Sequence, residues 1–224
     1  MNQRLVFLLL LVLCVGVAQA QPGIRGGMNF ATLSTLNWDG ASRDAQVAGK
    51  AGWQLGVFYQ QPLAGRWSLV PELQYSYQRL DLQVEDNSVN DGSYAGHYAL
   101  SLGYLHVPMW VRAAFRKGYL EVGPQLSMLV NAHETGTETM GSFFGSTTSA
   151  VDRPAGDRYA RADVALGIGG GVQLTNTVDL SLRISAGLLS LTSEYAAPYN
   201  YGGSLRNQVA QLSLSYQFKK PVAE

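Results

Sequence analysis

Val178-Asp179-Leu180-Ser181-Leu182-Arg183-Ile184-Ser185-Ala186 alternates aliphatic residues with small or charged ones without a break. A period of two is the pattern of a β-strand with one apolar face. A soluble barrel turns that face inward. A barrel in lipid turns it outward and keeps charge inside. Arg183, in the middle of the run, raises the choice directly. By phase, Leu182 and Ser181 belong to opposite faces of the wall.

Working outward from this stretch, the alternation recurs along the chain. It predicts strands at 22–33, 51–61, 67–80, 98–115, 119–132, 159–173, 178–191 and 205–218. Three connections are short: Pro62 to Arg66, Arg116 to Gly118 and Leu174 to Thr177. The other four, 34–50, 81–97, 133–158 and 192–204, are long, and short and long alternate strictly. An up-and-down transmembrane barrel has short periplasmic turns, long external loops and both termini in the periplasm. The expected fold is therefore all-β, an eight-stranded antiparallel up-and-down transmembrane β-barrel. A soluble ligand-binding barrel is the alternative fold, but it gives no reason for loop lengths to segregate.

The ends agree with export. Arg4, an apolar run from Leu5 to Val17, and Ala18-Gln19-Ala20 read as a secretory signal cleaved after Ala20. Residues 1–20 are then the signal, 21–218 the barrel and 219–224 a short periplasmic tail. Cys14 is the only cysteine and lies in the signal, so the mature chain has no thiol for a disulfide or a metal. The chain has 16 basic and 16 acidic residues; loss of Arg4 leaves a formal charge of −1, which argues against nucleic acid.

The apolar phase carries Trp53, Leu55, Val57 and Tyr59, then Trp67, Leu69, Leu73, Tyr75 and Tyr77. Aromatics gather near strand ends: Trp53, Tyr75 and Tyr77 at the outer rim; Tyr59, Trp67, Phe115 and Phe218 at the inner. Two interfacial girdles are expected. The opposite phase collects Arg25, Glu72, Arg112, Glu121, Asp163 and Arg183, three bases and three acids. Buried charge is costly unless paired, so a neutral lumen network is expected. Turn geometry places Arg112 opposite Gly123, Glu72 opposite Gly56 and Arg183 opposite Gly169. Phe58 and Trp110 also point inward, which argues for a filled interior. Pro71, Pro108 and Pro124 fall within strands and cannot donate to a ladder, so a bulge or irregular pairing is expected near them.

Gly23-Ile24-Arg25-Gly26-Gly27-Met28-Asn29-Phe30 resembles the opening strand of the PorT-like family of small outer-membrane β-barrels of Gram-negative bacteria. Pro71-Glu72-Leu73, Tyr104-Leu105-His106-Val107-Pro108, Glu121-Val122-Gly123-Pro124 and Leu182-Arg183-Ile184-Ser185-Ala186-Gly187-Leu188 follow in the family's order, with His106 where the family usually has Glu. The resemblance spans essentially the whole mature chain. It implies a barrel in the outer membrane and little about role; one namesake assists a secretion system. The aromatic end of the last strand, Tyr216 and Phe218, resembles the signal read by the barrel assembly machinery.

Chemistry is sparse. His97 and His133 fall at the outer end with Ser93 and Asp91, and a rim triad there is the enzymatic reading. Ser and Asp are common in loops, so no catalytic residue is assigned and no enzyme is expected. The histidines have no metal-ligand spacing, and no metal or cofactor is expected. Gly167-Ile168-Gly169-Gly170-Gly171 is followed by a strand end rather than a helix, which excludes a phosphate loop. Tyr195, Tyr199 and Tyr201, and Phe143 and Phe144 in the loop 133–158, could contact a protein or glycan or pack locally. That loop is also long enough to extend its strands as a hairpin above the membrane. The sequence thus favours a closed scaffold in outer-membrane lipid displaying external loops, with an adhesive, assembly or secretion-accessory role. A narrow channel or small-solute carrier comes next, and a rim-located lipid- or peptide-modifying enzyme third.

Overall fold

A computed structural model describes residues 21–36, 43–86, 92–142, 144–190 and 204–218. The expected signal and tail, Asp91, Phe143 and the tyrosine loop fall outside these residues. The strands are β1 (Gln21–Leu36), β2 (Arg43–Pro62), β3 (Trp67–Asp86), β4 (Gly92–Phe115), β5 (Gly118–Ser142), β6 (Gly145–Pro154), β7 (Ala162–Gln173), β8 (Val178–Gly187) and β9 (Ser204–Gln217). Every described pairing is antiparallel. The order β4-β3-β2-β1-β9-β8-β7-β5 closes through β4–β5 into a ring of eight, with β6 attached to β5. Closure pairs the edge strands of a barrel with one another.

The sixth wall strand is split in two. The lower part of β5 pairs with β7, from Gly118↔Val172 to Met128↔Ala162. Its upper part pairs with β6, from His133↔Pro154 to Ser142↔Gly145. Between them, residues 155–161 leave the wall at Pro154, whose ring removes a donor. Two backbone bonds stitch this segment to β5: Leu129 N–H donates to Arg161 O at 2.8 Å, and Ala155 N–H to Ala132 O at 2.9 Å.

The short turns lie where the sequence places them; Gly65, at φ 61°, takes the left-handed position in the first. The long connections are shorter than read, although 133–158 does form the hairpin that its length allowed. Most of 81–97 and 133–158, and parts of 34–50, are strand, so the wall continues well past the predicted strand ends. The reason is visible on β3. Its inward side chains run Glu72, Gln74, Ser76, Gln78 and then Leu80 and Leu82, all buried. Its outward phase runs Leu73, Tyr75, Tyr77 and then Arg79, Asp81 and Gln83. The period of two never breaks, but its polarity reverses at Gln78–Arg79. Below that level the outer solvent is lipid; above it, water, and the strand returns to apolar-in, polar-out.

Ser181 is 2% exposed and Leu182 53%, so the strand phase is as read. The outer belt of Ile24, Met28, Leu55, Val57, Leu73, Val107, Val111, Leu126, Ile168, Ile184 and Leu214 is exposed all round the ring. A continuous exposed apolar band this large needs a non-aqueous solvent. Trp53 stacks with Tyr77 at 6.2 Å and lies 5.5 Å from Tyr75 at the upper border. At the lower border the Arg66 guanidinium sits over Trp67 at 5.6 Å and Phe115 at 5.2 Å.

The three prolines are accommodated without changing register. The β4–β5 ladder skips from Pro108↔Gln125 to Val111↔Val122 in constant register. The β3–β4 ladder skips from Pro71↔Met109 to Gln74↔His106. Register shifts occur elsewhere, between Lys50 and Trp53 and between Gly103 and Tyr104, at the level where polarity reverses. Asn29 reaches the first from inside, donating to Trp53 O at 2.9 Å.

Candidate functional site

The interior is built in three layers. Nearest the short turns is a chain of five charges. The Arg25 Nη1 donates to Glu72 Oε2 at 3.3 Å, and Arg183 Nη1 donates to the same oxygen at 2.8 Å. Arg183 Nε donates to Glu121 Oε1 at 2.6 Å, and Arg112 Nε and Nη2 reach Glu121 Oε2 at 3.1 and 3.0 Å. The order is arginine, glutamate, arginine, glutamate, arginine, and each charge is buried. Aromatic faces complete the packing: Arg183 lies over Trp110 at 4.4 Å, Arg112 over Tyr119 at 3.8 Å and Arg25 over Phe58 at 5.2 Å.

Five of the six charges picked from phase form this chain. Asp163 does not. It is the second residue of β7 and enters from the external end, where its carboxylate accepts from the Leu189 N–H at 3.3 Å. Asp179, which shares the phase of Arg183 and directly follows a short turn, is the acid at the right height; it is buried and interacts coulombically with Arg112 and Arg25. Phase specifies the face of a strand and says nothing about height along the barrel.

The glycine pairings also need correction. Arg183 does face Gly169, and a side chain on Gly169 would meet Arg183 Cγ at 2.7 Å. Arg112 faces Glu121 rather than Gly123, and Glu72 faces Phe58 rather than Gly56. Gly56 instead faces Arg25 across β1–β2. Both errors are a shift of two residues, which preserves the face and follows from each turn being centred one residue away from the assumed position.

The middle layer is neutral and polar. His106 bonds Ser76 Oγ at 2.7 Å and Ser127 Oγ at 2.8 Å, with Gln125 at 3.1 Å. Gln54 donates to Ser213 Oγ at 2.8 Å. Above it lies a largely apolar plug of Ala31, Leu33, Leu80, Leu100, Leu102, Tyr104, Leu129, Ala132, Ala155, Tyr159 and Val209, with a bond from Asn207 to Gln78 Oε1 at 3.1 Å at the same level, since Asn207 pairs with Leu33 and Gln78 with Leu102. Tyr159 comes from the segment that leaves the wall, so that excursion helps fill the mouth.

Above the plug stands a sheet of the upper parts of β2 to β6, inner-faced by Leu82, Tyr94, Tyr98 and Val151. An ion cluster ties its β5–β6 hairpin to the mouth. Glu134 accepts from Arg153 Nε at 3.1 Å, Arg158 Nη1 at 3.4 Å and the Tyr159 hydroxyl at 2.8 Å. Glu138 accepts from Arg153 Nη2 at 2.7 Å and the Tyr98 hydroxyl at 2.8 Å, and Tyr98 contacts the Tyr94 hydroxyl. Partial burial works against the Glu138 charge, but the bonds from Tyr98 and Arg153 outweigh it and hold its pKa below the usual value. Burial acts first on the Tyr94 hydroxyl and pushes its pKa up.

Of the partners expected for the rim histidines, Asp91 lies outside the described residues and Ser93 is opposite neither histidine. His97 lies opposite Gln83 and Thr137, and Ser93 opposite Gly141. His133 Nε2 is held by Asp152 Oδ1 at 2.7 Å. Ser101 sits directly opposite His133, but its Oγ accepts from the Tyr77 hydroxyl at 2.9 Å rather than bonding the imidazole. Tyr216 and Phe218 lie on the outer face in edge contact at 5.4 Å between centroids.

A family model described as outer membrane protein beta-barrel domain matches residues 17–193. No curated protein matches the chain. Among solved structures, the chain is similar to Ail of Yersinia pestis in complex with the heparin analogue sucrose octasulfate, at 10% identity and TM-score 0.43, covering 89% of this chain and 99% of that one. It is similar to Neisserial surface protein A at 10% identity and TM-score 0.46, again over 89% and 99%. OprG of Pseudomonas aeruginosa aligns at 13% identity and TM-score 0.38, over 90% of this chain and 97% of that one. These likenesses are distant.

Proposed function

The chain belongs to the outer membrane protein beta-barrel domain family, and from that premise we propose that it is a closed, non-enzymatic scaffold that works through its external sheet. It resides in the outer membrane. The observation that carries the reading is the filled interior. A hydrated ion crossing the barrel meets a chain of buried charges already paired with one another and then a largely apolar plug, where stripping its water is costly. An adhesive, assembly or secretion-accessory role fits a plugged wall that rises past the membrane into a sheet and hairpin. The order of the quoted motifs supports a PorT-like member. The same reading includes signal cleavage after Ala20, recognition of Tyr216 and Phe218 by the assembly machinery, and a protein or glycan partner at the external end.

Conductance tests it. Purified protein in planar bilayers is expected to give no stepwise current where a reference porin does. Resolved unitary steps would replace the scaffold with the narrow channel.

A further inference from the structure

The external sheet has two edges, and they are treated differently. At one edge, the upper part of β2 carries Arg43, Asp44 and Lys50 in sequence, with Lys50 paired to Asp81 at 2.5 Å. A register shift follows between Lys50 and Trp53, beside the point where β1 stops pairing at Phe30↔Ala51. Charge and a bulge are the usual guards of an edge strand. At the other edge, β6 reads Gly145-Ser146-Thr147-Thr148-Ser149-Ala150-Val151-Asp152-Arg153-Pro154. It holds ten consecutive pairs with β5 in constant register, and among the described residues no strand lies on its other side. Residues 145–150 are all exposed, so neither face of the hairpin end is covered. The stretch has no lysine, no proline before Pro154 and no charge before Asp152. Threonine favours the strand conformation.

A regular row of open N–H and C=O groups fits one chemistry, another extended backbone. We infer that the free edge of β6 docks an extended segment of a different protein as an added strand. A second copy of this chain does not fit. Copies in one membrane share one orientation, so β6 runs toward the membrane in each. The self-complementary antiparallel pair of two identical edges would need one barrel inverted. The inference deepens the scaffold reading and rests on it, naming the kind of partner the external sheet takes.

The test is hydrogen exchange of the full chain in phosphatidylcholine vesicles. In the free protein, alternate amides of β6 are expected to exchange about tenfold faster than those bonded to β5. A millimolar threonine–valine octapeptide should slow that fast set by about tenfold, and the same peptide N-methylated at alternate residues should not. Proline placed at one fast-exchanging position should abolish the peptide's effect while the barrel keeps its heat-modifiable band. The inference is overturned if β6 is uniformly protected in the free protein, if copies cross-link through β6, or if the two peptides act alike. Failure of the scaffold reading shows separately, as conductance.

Discussion

Glu121 accepts from two arginines on different strands, whereas among the described residues Arg112 has Glu121 as its one partner at salt-bridge distance. Removing Glu121 therefore leaves Arg183 with Glu72 alone and Arg112 with Gln60 and the more distant Asp179 charge, and removing Arg112 leaves Glu121 still held by Arg183. A buried charge that loses its partner costs roughly 3–5 kcal/mol. Glu121→Ala is expected to lower unfolding stability in detergent by that order and Arg112→Ala by less. The double variant should lose less than the two losses added, and strict additivity would show that the pair does not interact. At the same scale, Ser181 and Leu182 report which way the wall faces. Single cysteines there, spin-labelled in a chain in which Cys14 is replaced by serine, should separate. Oxygen dissolved in lipid should relax the label at 182 more than that at 181, and the reverse result would reject the inverted barrel.

At the scale of elements, the β5–β6 hairpin is anchored by charge rather than by the lipid belt. Its root is Glu134 and Glu138 with Arg153, Arg158 and two tyrosine hydroxyls. Glu138 has a lowered pKa in the folded protein. Its contribution is thus fully present above the ordinary carboxylate pKa of about 4.3 and is lost as pH falls through the lowered folded value. Amides of residues 145–154 are expected to lose protection against hydrogen exchange, relative to the lower barrel strands, once pH falls below the ordinary carboxylate range. Glu138→Gln should show the lowered protection already at neutral pH, and protection independent of pH in the wild type would remove this anchor.

For the whole molecule, assembly and closure are one problem, because β1 and β9 seal the ring through fourteen described pairs, from Gly23↔Gln217 to Leu36↔Ser204. Phe218 stands at the end of that seam, its N–H donating to Pro22 O at 2.9 Å. Phe144, 98% exposed, lies at the far end of the external hairpin. Phe218→Ala should reduce the heat-modifiable folded fraction in cells more than Phe144→Ala does. Equal insertion of the two would detach the terminal aromatic from assembly.

Alternation, connection lengths and the charges on one phase were enough to specify the barrel, its inversion and five members of the lumen chain. They are local signals, and a period of two says which face a residue takes. They do not say how high along the axis a residue sits, so phase alone groups Asp163 with the chain and does not single out Asp179, although Asp179 shares the phase of Arg183. They also lost the upper wall. Leu80 and Leu82 alternate with Arg79, Asp81 and Gln83 as regularly as the strand beneath, but in the opposite sense, and a sequence does not mark where lipid gives way to water. The plug, the inward turn of Tyr159 and the open edge of β6 depend on which strands meet around the ring. Those meetings join residues far apart in the chain, so only the closed tertiary structure decided them.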